Sequence, residues 1–351
     1  MKAILLAGGK GTRLRPLTLH TPKPIVPIFD RPFLTYQIDL LKQVPEIDEV
    51  ILSLNYQPRR LEETFGDGGG LGVRLRYVVE PSPLGTGGAI RFAAQGIDDT
   101  LVVFNGDVMT AVDVAAVVRR HRERQARATI VLTPVENPSA YGLVETTPEG
   151  DVRRFLEKPS ADEITCDTIN AGIYVLEPST FDRIPKDTPY SIERGYFPSL
   201  VERGETFVAY VDRGYWIDIG TPEKYRAVHH DIFAGRCPLG PAGIASGQPV
   251  ISPEARIEPG AVVDGPCFID AGAHIKAGAR IAALSVVGRA VVVEEDAEVR
   301  GAILWPNSRI GRDAVVDGAL VGRGCHIGRD ARVGPAAILG DKTALTDFTQ
   351  V

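Results

Sequence analysis

A glycine-rich turn followed by two cations is the first feature of the chain that could do chemistry. Gly8-Gly9-Lys10-Gly11-Thr12-Arg13 comes directly after the apolar run Lys2–Ala7, and Lys23 stands ten residues beyond Arg13, between Pro22 and Pro24. Glycines at the end of a strand let backbone N–H groups approach a phosphate or a base, and ligands of open α/β sheets sit beyond the carboxyl ends of the strands. Fixed cations beside such a turn suit a triphosphate, whose negative charge grows during phosphoryl transfer. The spacing is not that of a Walker A loop, and the third glycine of a dinucleotide fingerprint is missing.

The elements that must position this turn alternate. Lys2–Ala7, Glu49–Leu54, Arg74–Val79 and Leu101–Asn105 read as strands. Phe33–Val44, a stretch from Gln57, Gly87–Gln95 and Asp113–Arg124 read as helices. Such alternation predicts βαβ units and a mixed, mostly parallel sheet of the Rossmann-like α/β class. Beyond Thr129 the strands shorten (Thr129–Leu132, Gly142–Glu145, Gly172–Leu176), which predicts antiparallel additions at one edge. A last long helix is expected over Pro222–Phe233, with Thr221 as its N-cap and proline at its first position.

The sequence changes character after the Gly- and Pro-rich stretch Cys237–Pro249. Ile251, Ile257, Val263, Ile269, Ile275, Ile281, Val287, Val293, Val299 and Trp305 recur every six residues. One short hexad then leads to Ile310 and Val316, and the pattern resumes near Ile327, Val333 and Leu339. A strict period of this kind predicts a β-helical solenoid, with each aliphatic residue pointing inward and small residues at the corners. Roughly 18 residues would close a triangular coil, giving roughly five coils. Three segments follow: residues 1–236, a linker at 237–249, and a repeat domain at 250–351, with Thr343–Val351 expected as its cap.

Leu6-Ala7-Gly8-Gly9-Lys10-Gly11-Thr12-Arg13-Leu14, then Pro16-Leu17-Thr18 and Pro22-Lys23-Pro24, resembles the opening signature of the sugar-1-phosphate nucleotidyltransferases. Further landmarks of that family follow in order. They are Pro83–Ala89, Asn105-Gly106-Asp107, Tyr141-Gly142, Glu157-Lys158-Pro159, Asn170-Ala171-Gly172-Ile173-Tyr174 and Trp216–Pro222. The hexapeptide segment is similar to the left-handed β-helices found behind several of these enzymes. The resemblance implies attack by a sugar-1-phosphate on the α-phosphate of a nucleoside triphosphate, with Mg²⁺ as cofactor and Asp107 and Asp218 as its ligands. It implies nucleotide contacts from Leu6, Ala7, Gly8, Gly9, Gly11, Thr12, Arg13, Glu80, Gly85 and Thr86. Arg13 would hold the β- and γ-phosphates and Lys23 would bridge the reacting phosphates. Lys158 would anchor the sugar phosphate, and Gly142, Glu157 and Asn170 would meet the sugar hydroxyls. Arg13, Lys23, Asp107, Lys158 and Asp218 form the implied catalytic set, while Lys10 and Arg15 read as exposed loop cations.

Glu80 bears on the base. Relatives that transfer thymidylyl or uridylyl groups commonly carry glutamine here, whereas a carboxylate only accepts hydrogen bonds and guanine offers two adjacent donors. GTP is therefore the expected donor. Ser191–Pro198 and Tyr215–Tyr225 are similar to mannose-1-phosphate guanylyltransferases, whereas Pro32–Phe92 is also similar to heptose-1-phosphate guanylyltransferases, which usually lack the repeat. Mannose-1-phosphate is the expected acceptor. The alternatives are heptose-1-phosphate, thymidylyl or uridylyl transfer to glucose-1-phosphate, an acyltransferase in the solenoid using His274 or His326, and a silent regulatory paralogue.

Composition sets the outer bounds. The formal net charge is −6 over 351 residues. No basic run suggests a nucleic-acid groove or a polybasic membrane anchor. No segment approaches the roughly 18 to 20 apolar residues of a membrane span, and Met1–Ala7 is too short an apolar stretch for a signal peptide. Cys166, Cys237, Cys267 and Cys325 lie far apart, without metal or disulfide spacing. A cytoplasmic homo-oligomer, associating through the solenoid, is expected.

Overall fold

The computed structural model describes residues 1–351, which divide into two compact units. One comprises Met1–Lys10 and Leu34–Asp218, and the other Gly11–Phe33 and Ile219–Val351. Contact therefore groups the chain differently from composition: segment 11–33 and the helix Pro222–Phe233 belong with the coils.

The first unit is built on a nine-stranded sheet. Lys2–Leu6 pairs in parallel with Glu49–Leu54 on one side and Leu101–Asn105 on the other, and Arg74–Val79 extends the first side. The segments Ala3–Leu5, Val50–Leu52 and Val102–Phe104 are completely buried, as near-continuous apolar strands covered on both faces must be. Antiparallel strands join the edge of Leu101–Asn105, as the shortening pattern predicted. Thr168–Leu176 pairs with it and carries Ala128–Pro134 and Gly142–Thr146, and Val152–Glu157 lies beyond. Phe207–Val211 differs, running parallel to Ala128–Pro134.

Helices form where expected, with shifted ends. The first stops at Leu41 rather than Val44, and the third spans Gly85–Ala93, opening two residues early. Asp113 caps the helix Val114–Glu123 by accepting from the Ala116 amide at 2.8 Å. The chain leaves Lys2–Leu6 toward Glu49–Leu54, then crosses to Leu101–Asn105 on the other side. The carboxyl ends of those two central strands thus form the switch point where such sheets bind ligands.

The second unit is a triangular parallel β-helix, in keeping with the left-handed class. Its three sheets carry six, six and five short strands, so five complete coils are followed by part of a sixth. Ile269, Ile275, Ile281, Val287, Val293 and Val299 point inward as predicted and are fully buried. Alanines two positions earlier (Ala273, Ala279, Ala297, Ala314, Ala331) also face inward rather than turning corners. The corners fall instead at positive-φ residues such as Gly272, Gly278, Asp296 and Asn307. Cys267 and Cys325 occupy the inward alanine position; all four cysteines are free thiols, and burial pushes the Cys267 thiol up to about 12.

One residue departs from the predicted register. Leu304, not Trp305, stacks on Val287, because the short turn comes between Val299 and Leu304. Trp305 is buried outside the coil, and its indole N–H donates to the Tyr225 hydroxyl at 2.9 Å. Nor does Thr343–Val351 form a separate cap. Ala344–Leu345 pairs with His326–Ile327, and the Arg332 amide donates to the Thr349 carbonyl, so the solenoid simply continues. His274 and His326 lie on one outer sheet, with His274 paired to Glu258 at 2.7 Å.

The helix Pro222–Phe233 has the predicted Thr221 cap, which accepts from the Lys224 amide. Its His229 is almost fully buried, against Phe29 at 5.0 Å between ring centroids. Nδ1 lies 2.9 Å from the Tyr225 carbonyl and Nε2 faces the Phe29 N–H. Only the neutral ring with its proton on Nδ1 satisfies both, and burial lowers the pKa to about 4. An unfolded histidine titrates near 6.5, so below that pH the unfolded chain binds a proton that the folded state refuses until about pH 4. Stability is expected to fall by about 3 kcal/mol between those limits. Urea denaturation at pH 7 and pH 4.5 measures it, and a His229→Gln variant with the same pH dependence would refute this origin.

Candidate functional site

Within the sheet unit, the start of the glycine turn and the two predicted aspartates come to the carboxyl ends of the strands Lys2–Leu6 and Leu101–Asn105. Leu6 and Asn105 are register partners, so Ala7-Gly8-Gly9 and Gly106-Asp107 leave the sheet side by side. The Gly106 amide donates to the Leu6 carbonyl at 3.0 Å, and a Cβ on Gly106 would lie 2.3 Å from that oxygen. Only glycine permits this approach.

Asp107 is held from both sides by a residue that sequence reasoning did not find. Gln37, almost wholly buried, donates its Nε2 hydrogens to the carbonyls of Asn105 (2.9 Å) and Val108 (2.8 Å), which bracket Gly106 and Asp107. No motif marks Gln37, because a helix glutamine has no spacing relation to a loop 68 residues away. Asp218 reaches the same place through the small ladder Trp216–Asp218 against Val108–Thr110, in which Asp218 opposes Val108. The Tyr141 hydroxyl donates to Asp218 Oδ2 at 3.0 Å, and its ring packs edge-on to Trp216. Two carboxylates thus stand at neighbouring positions, and no cluster of three or more His, Cys, Asp or Glu side chains forms a metal cage. A pair of hard oxygen ligands fits Mg²⁺, which keeps waters and phosphate oxygens in its remaining positions.

Glu80 lies beside the glycine turn, 3.4 Å from where a Gly8 Cβ would stand. It is buried, and both oxygens have protein donors: the Ser53 hydroxyl at 3.1 Å and the Leu84 amide at 3.0 Å. Each oxygen retains a second acceptor site. The glycines after it have a structural demand of their own. A Cβ on Gly85, Gly87 or Gly88 would approach the 188–190 segment at 2.8 to 2.9 Å. Thr86 donates to Glu193 at 2.7 Å and accepts from the Ile192 amide at 3.0 Å.

A second cluster lies at the antiparallel end. Gly142 faces Glu157 across their ladder, and a Cβ on Gly142 would meet the Glu157 carboxylate at 3.0 Å. Burial raises the Glu157 pKa, repulsion from Glu193 adds to this, and Lys158 and Arg194 offset part of it. Lys158 is exposed and left-handed at φ 54°, its amide fixed on the Tyr141 carbonyl at 2.9 Å. Asn170 donates to the Tyr174 hydroxyl and accepts from the Gly172 amide. The cluster therefore presents an exposed ammonium beside a half-buried carboxylate and amide, which suits a phosphorylated polyol.

Arg13 and Lys23 belong to the other unit, which the chain enters between Lys10 and Gly11. Gly11 (φ 60°) opens a compact loop in which the Thr18 hydroxyl donates to the Gly11 carbonyl at 2.7 Å. Arg13 is exposed, whereas Lys23 is only 7% exposed.

A Rossmann-like sheet with paired aspartates at its switch point, followed by a β-helix, matches known proteins along the chain. Residues 2–234 fit the nucleotidyl transferase family model, and the chain belongs to that family. Residues 263–351 fit the model of the GMPPB C-terminal domain. The chain is 44% identical over 238 residues to a mannose-1-phosphate guanylyltransferase of Mycobacterium tuberculosis, covering 67% of this chain and 66%, just under two thirds, of that one. It is 38% identical over 338 residues to a mannose-1-phosphate guanyltransferase of Yarrowia lipolytica, covering 89% and 88%. Among solved structures, HddC from Yersinia pseudotuberculosis complexed with GMP-PN is 29% identical with a TM-score of 0.55, covering 66% of this chain and 99% of that one. No helix is long and apolar enough to cross a membrane.

Proposed function

We propose that the protein transfers a guanylyl group from GTP to mannose-1-phosphate, releasing pyrophosphate and forming GDP-mannose. The likeness to the Yarrowia lipolytica enzyme, which runs through both the sheet and the coils, carries this reading furthest. The GMP-PN named in the HddC complex, a guanine nucleotide compound, supports the choice of base. In this reading the catalytic part is residues 1–236, joined by the linker 237–249 to the repeat 250–351.

The sugar phosphate is already ionised and needs no general base. One of its oxygens attacks the α-phosphorus, and the bond to the pyrophosphate oxygen breaks. Catalysis is then positioning and charge neutralisation. Leu6, Ala7, Gly8, Gly9, Gly11 and Thr12 would line the nucleotide together with Glu80, Gly85 and Thr86, while Arg13 and Lys23 take the donor phosphates. Lys158 would hold the acceptor phosphate, with Gly142, Glu157 and Asn170 on the sugar. Asp107 and Asp218 would hold one Mg²⁺, which when bound supplies positive charge at the reacting phosphates.

A steady-state survey of four nucleoside triphosphates against several sugar-1-phosphates, read by pyrophosphate release, tests the assignment. No release with GTP and mannose-1-phosphate would sink it. Both Glu80 oxygens accept bonds inside the protein, so guanine would use the second acceptor site that each oxygen retains. Glu80→Gln discriminates, since it replaces one acceptor by a donor. kcat/KM for GTP should fall about tenfold, the worth of one good hydrogen bond, while relative use of dTTP or UTP improves. An unchanged preference would remove Glu80 from base recognition.

A homo-oligomer is also proposed, because both ends of the coil unit leave apolar side chains exposed. Ile251 and Val262 lie at one end, and Phe348 and Val351 at the other. Sedimentation velocity reads it, and a monomer at micromolar concentration would contradict it. Four free thiols suit a reducing, cytoplasmic setting.

A further inference from the structure

Arg13 and Lys23 sit in Gly11–Phe33, a segment with little regular structure of its own. It contains two single 3₁₀ turns, Thr12–Leu14 and Lys23–Ile25, and a hairpin of two-residue strands, Pro27–Ile28 and Arg31–Pro32. Local turns and a two-residue hairpin cannot by themselves offset the entropy of fixing more than twenty residues. The segment keeps one shape only if something else holds it.

The coils hold it, at points that bracket Lys23. The Thr21 hydroxyl donates to Asp341 Oδ2 at 2.7 Å. The other oxygen of Asp341 accepts the Arg323 amide at 2.8 Å, so the carboxylate is itself fixed by the preceding coil. The Arg323 side chain donates from Nη2 to the Ile25 carbonyl at 3.3 Å and lies over the Trp305 ring. Trp305 bonds the Tyr225 hydroxyl, which donates in turn to the Pro27 carbonyl. Upstream, a Cβ on Gly340 would meet Pro16 at 3.1 Å. Thr21 and Ile25 stand two residues on either side of Lys23, whose own backbone is stiffened by Pro22 and Pro24. The departure of Trp305 from the inward stack also acquires a use, since it supports both Arg323 and Tyr225.

We propose that the β-helix is a positioning device for the donor-phosphate cations, with Asp341 and Arg323 as positioning residues that fix the Thr21–Ile25 peptide and so aim Lys23. This rests on the reading of Lys23 as a ligand of the donor phosphates. A cation aimed before the substrate arrives loses little entropy on binding and needs no reorganisation as charge develops. A misplacement of about 1 Å costs up to about a hundredfold in rate. Attachment that merely held the coils in place would affect both substrates alike, through the amount of folded enzyme.

The experiment uses the full chain and the variants Thr21→Val, Thr21→Ser, Arg323→Gln and Lys23→Ala, with kcat and KM measured separately for GTP and mannose-1-phosphate. Thr21→Val and Arg323→Gln should each lower kcat/KM for the nucleotide by about tenfold or more, with KM for the sugar phosphate unchanged. Thr21→Ser, which keeps the hydroxyl, should restore it. Thr21→Val added to Lys23→Ala should cost nothing further, because the clamp acts through Lys23. Thermal unfolding of each variant gives the folded fraction by which every rate is divided. Unchanged nucleotide kinetics in Thr21→Val, or an equal loss in the Lys23→Ala background, would overturn the clamp while leaving the site reading intact. Wild-type activity in Lys23→Ala would instead overturn the site reading, and the clamp with it.

Discussion

Asp107→Asn is expected to leave a folded protein with turnover reduced about a thousandfold, the scale seen when one preorganised electrostatic group is removed from a reacting phosphate or carbonyl. The substitution keeps the shape of the side chain and removes its charge. The loop that carries it is fixed independently, by Gln37 on the Asn105 and Val108 carbonyls and by the Gly106 amide on Leu6. Stability should therefore move by no more than about 0.5 kcal/mol, as for substitutions that remove no packing. Asp218, opposite Val108 in the short ladder, stays in place and would keep a weakened hold on Mg²⁺. Part of the loss should then be recovered at high Mg²⁺, which a pyrophosphate-release assay across a Mg²⁺ titration would reveal. Near-normal rates at low Mg²⁺ would remove Asp107 from the metal site.

Gly106→Ala is the second large effect, and it acts first on the fold. The added methyl would stand 2.3 Å from the Leu6 carbonyl oxygen and 3.2 Å from the Ala7 Cα. Both contacts are backbone atoms at the end of the innermost strand, where no flexible side chain can yield. Strain of this kind in a packed interior costs about 2 to 4 kcal/mol. The relaxation must push apart the two chain segments that diverge at the switch point, so the folded fraction should also lose about tenfold or more in activity through displacement of Asp107. Gly9 supplies the control: a Cβ there meets nothing within 4 Å. Gly9→Ala should keep its denaturation midpoint, whereas Gly106→Ala should lose most of the predicted 2 to 4 kcal/mol. Equal midpoints would disprove the close approach.

Much of the architecture was readable because it is locally encoded. Short apolar runs marked the strands, Asp113 and Thr221 marked helix starts, and a period of six marked the coils. The errors share a cause. Leu304 and Trp305 are adjacent and both apolar, so either could continue the hexad. The choice fell to Leu304 because its side chain stacks on Val287 inside a narrow coil, while the larger indole finds the Tyr225 hydroxyl outside. The small residues expected at the corners likewise include alanines that face inward beside the aliphatic stack, which a period of six cannot distinguish.

The turn Gly8–Arg13 shows most plainly where local information ends. Residue types and order alone determined that a strand runs into glycines, that cations follow, and that aspartates end two later strands. Spacing could not say that the chain changes unit between Lys10 and Gly11. It could not say that Gln37 grips the Asp107 loop, or that Asp341 holds Thr21 from 320 residues away. Those contacts depend on which surfaces each folded unit brings together within itself. A hydrogen bond between distant positions leaves no periodicity in the chain that makes it.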